Sequence, residues 1–422
     1  MVLERLNSQN SDSETMRLLS PGQITTIVGP PNSAKTFDLI TALEGFSKRG
    51  DGVPTQMFTP SRPAQQERSD CVVRDNLGYK QHSATEIFNA KEIFEHLNPN
   101  TSVVGIDRAH LLGPEIVQVV QCLRARHHQV FVTGNGMNSK LEPYRLNGSA
   151  YSTFGDVIAI SDFVRNQKAR CAFTARTDAG YSFSLDNQLG ACTMAHHPTR
   201  TQIIEKWPCK VPILMREGSI SVITGPMGSN KTTTMLGRYS KVQDSAVLFQ
   251  PGQDNRYSGS AIQDHTKSLS FDAISVSSAE EILDQIDANK FHVFIDEFFM
   301  LDDSLPKVIQ ILRARGCSVT LTGLDMNFEL EPLSFHNSQH TVGEIFAMAD
   351  QVTKLTSKHI FMDSSGILRH EDARFTMRKQ LPGQTNKQEK VLGGFELYQA
   401  VSIEGHPYRE IYANMFNEAE NS

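Results

Sequence analysis

Two short stretches of the chain carry residues whose types and spacing suit phosphate chemistry. Gly225-Pro226-Met227-Gly228-Ser229-Asn230-Lys231-Thr232 follows a short apolar run. In the loop form GxxxxGK[ST], backbone N–H groups wrap phosphate oxygens, the lysine reaches the β and γ oxygens, and the hydroxyl binds Mg²⁺. Here Asn230 stands where the second glycine is usual, and asparagine is the next most tolerant residue at positive φ. Phe294-Ile295-Asp296-Glu297 ends a second apolar run. An aspartate at such a strand end can hold Mg²⁺ or its water shell. Glu297 beside it can take a proton from a substrate hydroxyl. The bland alternatives are a plain strand–turn–helix corner and a solvated acidic strand end.

Both stretches occur twice. Residues 22–36 read GQITTIVGPPNSAKT and residues 218–232 read GSISVITGPMGSNKT. VVGIDRAHL at Val103 matches HVFIDEFFM at His292, and QCLRARHHQVFVTGNGMNSKLEP at Gln121 matches QILRARGCSVTLTGLDMNFELEP at Gln310. Order and spacing survive over long stretches, which indicates duplication of a domain and excludes a short-period solenoid. The first copy is degenerate at its chemistry. Its loop, Gly29 to Thr36, has two prolines without N–H donors and Ala34 where positive φ is disfavoured. Its Ile106-Asp107-Arg108 puts a permanent cation where the second copy has the candidate base.

Elements that position these residues follow from periodicity. In the second copy Ile220 to Thr224 reads as a strand, Lys231 to Val242 as a helix, and Ala246 to Gln250 as a strand. Ser278 to Gln285 reads as a capped helix, and Phe291 to Ile295 and Ser318 to Thr322 as buried strands flanking a helix near Lys307 to Arg315. Alternating strands and helices predict a parallel three-layer α/β sheet, with ligands at the carboxyl ends of strands. We expect a flexible arm over 1–20, a degenerate domain over 21–185, a linker without helix or strand periodicity over 186–216, a second domain over 217–410 and a flexible tail over 411–422.

The 422 residues suffice for two cores, with ordinary globular composition and a net charge of −6. That charge excludes a surface built wholly for nucleic acid or anionic membrane, and no apolar run reaches the ~20 residues that span a bilayer. Six dispersed cysteines without a CxxC pair predict no disulfide framework and a cytoplasmic location.

The second copy resembles the type II thymidine kinases. GPMGSNKT at Gly225, DNRYS at Asp254, IDE at Ile295, GLDMNF at Gly323, ADQVTKLT at Ala349, RFTMR at Arg374 and VLGGFELY at Val391 recur in that family's order. The first copy resembles the family more faintly from Gly22 to about Arg176. The resemblance implies a tandem of P-loop, RecA-like domains, each with a small lasso subdomain, the first reduced. It implies transfer of the γ-phosphate of ATP to the 5′-hydroxyl of thymidine, and of deoxyuridine, in nucleotide salvage. Glu297 is then the base. Gly225, Met227, Gly228, Ser229, Asn230, Lys231, Thr232, Asp254 and Arg256 bind phosphate, and Thr232 and Asp296 hold Mg²⁺. Phe328 packs on the thymine ring, Leu324 and Thr376 lie near its methyl group, and Gly393, Gly394 and Tyr398 belong to the lasso.

The departures carry their own expectations. Phe298-Phe299-Met300 follows IDE where the family has a small residue, Gln and Phe, so the ring-stacking aromatic either comes from Phe299 or is lost to Met300. The family's two zinc-binding cysteine pairs are replaced by His359, Met362, Ser402 and Gly405, which predicts no zinc and a hairpin held by packing alone. Matching Phe173 with Phe375 makes the first copy 13 residues shorter across that region. It also has Ser139 where the second has Phe328. The first copy is therefore expected to be a pseudokinase packed against the second as a pseudo-dimer, within a homo-oligomer of tandem chains. The alternatives are a non-catalytic nucleotide-binding scaffold and a P-loop ATPase acting on nucleic acid, the latter disfavoured by net acidity.

Overall fold

The structure is a computed structural model that describes residues 22–48, 52–61, 70–75, 78–174, 176–185, 188–252, 261–264, 268–362, 368–379 and 397–416. Apolar runs too short for helices become central strands. β1 (Gln23–Val28), β2 (Thr55–Pro60), β3 (Asp70–Arg74), β4 (Gln81–Ile87), β5 (Val103–Ile106), β6 (Gln129–Gly134) and β7 (Phe163–Asn166) form one sheet in the order β3-β4-β2-β5-β6-β1-β7. Its pairings are parallel except at the β3 edge. An antiparallel hairpin, β8 (Tyr181–Leu185) with β9 (Gln188–Cys192), follows it.

The second half repeats the plan. β10 (Ser219–Thr224) and β11 (Ala246–Pro251) are followed by a small hairpin of β12 (Ala261–Gln263) and β13 (Ser270–Asp272). Then come β14 (Ile274–Val276), β15 (His292–Ile295), β16 (Ser318–Gly323) and β17 (Gln351–Lys354). The sheet order β14-β11-β15-β16-β10-β17 is parallel throughout. Two antiparallel hairpins close the half: β18 (Ser357–Met362) with β19 (Leu368–Ala373), and β20 (Phe375–Arg378) with β21 (Tyr398–Val401). The expected parallel α/β sheets are therefore present, with both phosphate-type loops at the carboxyl ends of their first strands.

The halves share one hydrophobic core. It joins Val119, Val120 and Leu123 of helix Ile116–Ala125 to Val308, Ile309 and Leu312 of helix Leu305–Ala314. Both helices are buried nearly all round, including Gln121, Arg124 and Arg313, as a helix between two layers must be. Several of their polar groups bond in mirrored pairs. Gln121 donates to the Leu330 carbonyl at 2.7 Å and Gln310 to that of Leu141 at 2.6 Å. Arg124 and Arg313 each donate to a carbonyl of their own half, Ile160 and Met348, at 2.9 Å.

Two expectations change here. Residues 186–216 are not featureless: they carry β9, a 3₁₀ turn and helix Thr199–Lys206. Helix Tyr408–Asn414 runs past residue 411, where the tail was expected to begin. The two helices are exchanged between halves. Thr199–Lys206 lies on Leu305–Ala314, with Arg200 donating to the Ala314 carbonyl at 2.8 Å. Tyr408–Asn414 lies on Ile116–Ala125, and Arg126 donates to the Ala413 carbonyl at 2.9 Å. Neither helix shows its period because each is short and buries little: only Ile203 in one and Tyr412 in the other.

Helices Phe154–Ala159 and Gly343–Met348 meet where the halves approach most closely. A Cβ on Gly155 would stand 1.7 Å from the Gly343 carbonyl oxygen. Gly155→Ala should therefore destabilise the chain by about 1–3 kcal/mol through overpacking. Thermal denaturation checks this, the expected result being a melting temperature several degrees lower.

Candidate active site

Thr224 ends β10, and the chain turns sharply through Gly225 at φ 151° and Gly228 at φ 73°. Asn230 sits at φ 61°, ψ 32° and opens the helix Lys231–Tyr239. The side chain at this corner is thus one that tolerates the left-handed region. Lys231 Nζ donates to the carbonyls of Gly225 and Pro226 at 2.9 Å each, so the lysine arches over the loop. Two strands brace the loop from outside. The Met227 amide donates to Thr376 Oγ1 of β20 at 3.2 Å, and Ser357 Oγ of β18 donates to the Gly228 carbonyl at 3.3 Å.

Asp296 follows β15 and is buried. Its carboxylate takes the Thr232 hydroxyl at 3.3 Å on Oδ2. On Oδ1 it takes the Glu297 amide at 3.0 Å and a short bond from the Thr322 hydroxyl. Glu297 itself holds φ 44°, ψ 46°, a left-handed position that costs of order 1–2 kcal/mol for a residue with a Cβ. Arg108, its counterpart in the first half, holds the same conformation at φ 50°, ψ 39°, so the turn belongs to the shared scaffold. The pairing of a hydroxyl and a carboxylate oxygen, both hard donors, suits Mg²⁺, which takes one or two carboxylates and completes its shell with phosphate and water. No group of three or more His, Cys, Asp or Glu residues suited to a metal occurs among the described residues.

The first half keeps the scaffold with different residues at the corner. Ala34 and Asn32 sit at φ 61° and 62°. Alanine in that region is the strained exception that the sequence suggested. Lys35 donates to the carbonyls of Gly29 and Pro30 at 2.9 and 2.5 Å, and burial pushes its pKa down to about 8. Asp107 takes hydroxyls from Thr36 at 3.0 Å and Thr133 at 2.7 Å, matching the second half. Arg108, however, lies against it: Nε is 3.3 Å from Oδ2, and Nη2 donates to Thr59 at 2.8 Å. A carboxylate already paired with a guanidinium does not fit a divalent cation. Burial, with Lys35 and Arg108 nearby, also holds His110 neutral, its pKa pushed down to about 3.

The remaining sequence candidates separate. Thr376 is buried beside the loop, as above. Leu324 and Phe299 are half-buried against the core, and Phe299 lies against Gly323, where a Cβ would meet its ring at 3.0 Å. Phe298 is wholly buried and packs on Phe346. Phe328 is half-buried with the Arg378 guanidinium 5.7 Å over its ring and Tyr408 beside it at 6.5 Å. Arg378 pairs with Tyr398 across β20 and β21. Asp254, Arg256, Gly393 and Gly394 lie outside the described residues. Thr322 was missed, although a threonine before glycine ends the matching strand in both halves, at Thr133 and Thr322.

The family's zinc positions also differ from expectation. The hairpin is held by more than packing. Glu371 accepts from His359 Nδ1 at 3.1 Å and through a short bond from Ser402 Oγ, which in turn accepts the Gly405 amide at 3.3 Å. These donors do not fit tetrahedral zinc. In the first half the alignment through Phe173 was wrong. Tyr181 pairs with Cys192 as Phe375 pairs with Val401, so Tyr181 is the counterpart of Phe375. The shortening falls mainly between β8 and β9. Cys171 and His196 then stand at the positions of His359 and Gly405, with Thr193 and His196 bonded at 2.8 Å.

A parallel α/β sheet with a lysine-capped glycine loop after its first strand and a hydroxyl-bound aspartate at a neighbouring strand end defines a nucleotide-phosphate-binding class of protein. The chain belongs to the thymidine kinase family, whose sequence model matches residues 22–193 and again 218–405. Thymidine kinases from two strains of Ureaplasma parvum serovar 3 are each 36% identical to it over 148 residues, which is 33% of this chain. The match spans 63% of each relative's length, less than two thirds.

Chelators should leave the melting temperature unchanged, and elemental analysis should find well under one zinc per chain. Glu371→Ala should lower the melting temperature, because it removes the shared acceptor of His359 and Ser402.

Proposed function

We propose that the chain is an ATP-dependent thymidine kinase whose second half, residues 217–410, carries out the reaction, while the first half serves as a non-catalytic partner. The observation that carries this reading is the contrast beside the strand-end aspartate. An acid, Glu297, follows Asp296, whereas Arg108 follows and lies against the equivalent Asp107 in the first half. In the proposed reaction the 5′-hydroxyl of thymidine attacks the γ-phosphorus of ATP, the β–γ bridging bond breaks, and ADP leaves. Glu297 takes the hydroxyl proton, and the loop amides and Lys231 stabilise phosphate charge. Thr232 and Asp296 are the groups that would hold Mg²⁺, which supplies charge neutralisation when bound. Phe328, Leu324 and Thr376 are proposed to contact the base. Deoxyuridine, which lacks only the methyl group, is proposed as a second substrate. A non-catalytic reading draws on Asn230 and on the missing zinc ligands; the φ of 61° that Asn230 adopts suits asparagine, and the intact DNRYS, IDE and GLDMNF stretches oppose that reading.

Glu297→Gln should retain fold and ATP binding while lowering thymidine turnover by ~10²–10⁴-fold. Steady-state kinetics with circular dichroism as the fold check would measure this. Turnover within threefold of the parent would remove Glu297 from the role of base.

The halves are separated by their lysines. Lys231→Ala should abolish phosphorylation, and Lys35→Ala should leave it nearly unchanged. Equal loss in both variants would make the first half catalytic or obligatory for catalysis.

A further inference from the structure

The interface contains two cation–aromatic contacts related by the duplication. Arg124 of the first half lies 4.6 Å over the ring of Phe375 in the second, and Arg313 of the second lies 4.8 Å over Tyr181 in the first. Both arginines are fully buried and anchored by their own half. Arg124 bonds the Ile160 carbonyl and, through Nη2, Gln121 Oε1 at 2.7 Å, with Asp162 at 3.7 Å. Each arginine is thus a rigid cation pressed onto one strand of the other half's hairpin.

The two contacts differ in what the next residue does. After Phe375 comes Thr376, whose hydroxyl oxygen accepts the Met227 amide of the phosphate-type loop at 3.2 Å. After Tyr181 comes Ser182, but the loop residue matching Met227 is Pro31, which has no N–H to give. The histidine contact at this position is common to both halves, His197 with the Ser182 carbonyl at 2.8 Å and His406 with the Thr376 backbone. The chain from cation to ring to hydroxyl to loop amide is therefore complete only from the first half toward the second.

We propose that Arg124 is a positioning residue for the second half's substrate site. The non-catalytic half sets, through Phe375 and Thr376, the backbone conformation of the loop at Met227. The inference rests on the reading of Gly225–Thr232 as the phosphate loop. It gives the first half a defined task in catalysis without any ligand of its own.

A double-mutant cycle on the full chain tests it. Arg124→Lys and Thr376→Val should each raise the KM for ATP and thymidine about tenfold, with kcat changed less than threefold. The double variant should be no worse than Thr376→Val alone. Arg313→Lys, the mirror change, should leave both KM values within twofold. Multiplying effects in the double variant, or an equal KM shift from Arg313→Lys, would mean general loosening of the interface and would overturn the proposal. If Arg124→Lys fails to fold, Phe375→Leu takes its place in the cycle, since it leaves the arginine's own bonds intact. A parent without thymidine turnover would instead overturn the functional reading, and the same cycle would then be read from the equilibrium dissociation constant for ATP.

Discussion

A carboxylate at the end of a buried strand has to be balanced, and most of what distinguishes the two halves follows from how that is done. Asp107 and Asp296 occupy the same corner, take a hydroxyl from the helix after the loop and another from the neighbouring strand, and are almost fully buried. Hydrogen bonds alone leave the charge uncompensated in a medium of low dielectric. In the first half Arg108 supplies the opposite charge from within the chain. In the second half the next side chain is another acid, Glu297.

The duplication gives each half something that it could not supply alone. Helices Ile116–Ala125 and Leu305–Ala314 carry apolar groups on all sides, and neither could be solvated without exposing a large patch. Facing one another they close a single core, while the exchanged helices Thr199–Lys206 and Tyr408–Asn414 cover their far ends. This explains why the first half retains its strands although Arg108 replaces the acid. Its apolar pattern is held by the partner's need for a surface, and that need is indifferent to whether Asp107 faces an acid or an arginine.

The zinc-position clusters follow the same logic. A metal staples a small hairpin by drawing four ligands together. Where the ligands are absent, another means has to fix the hairpin, and in the second half Glu371 does so by accepting from both His359 and Ser402. The resulting bonds are weaker than metal coordination. The hairpin is also gripped from the side, where Arg124 lies against Phe375 and the Met227 amide bonds Thr376.

The sequence by itself determined what depends on local chemistry and on pattern. The repeated glycine loop, the strand-end Asp296-Glu297, the change to Arg108, and the apolar runs that became β1, β6, β10 and β16 are all readable from residue type and spacing, because each acts within a few residues of its neighbours. Even the left-handed turn at Asn230 follows from the tolerance of one side chain. Tertiary structure alone decided what depends on partners far away in the chain. Thr322 looks like any strand threonine until its hydroxyl meets Asp296, 26 residues earlier. Gly155 looks replaceable until Gly343 lies against it. Phe173 matches Phe375 by identity, yet register gives that position to Tyr181. Short helices with one buried residue carry no periodic signal, so 199–206 and 408–414 became legible only when the opposite half covered them. Periodicity records how much of an element is buried, and it cannot record against what.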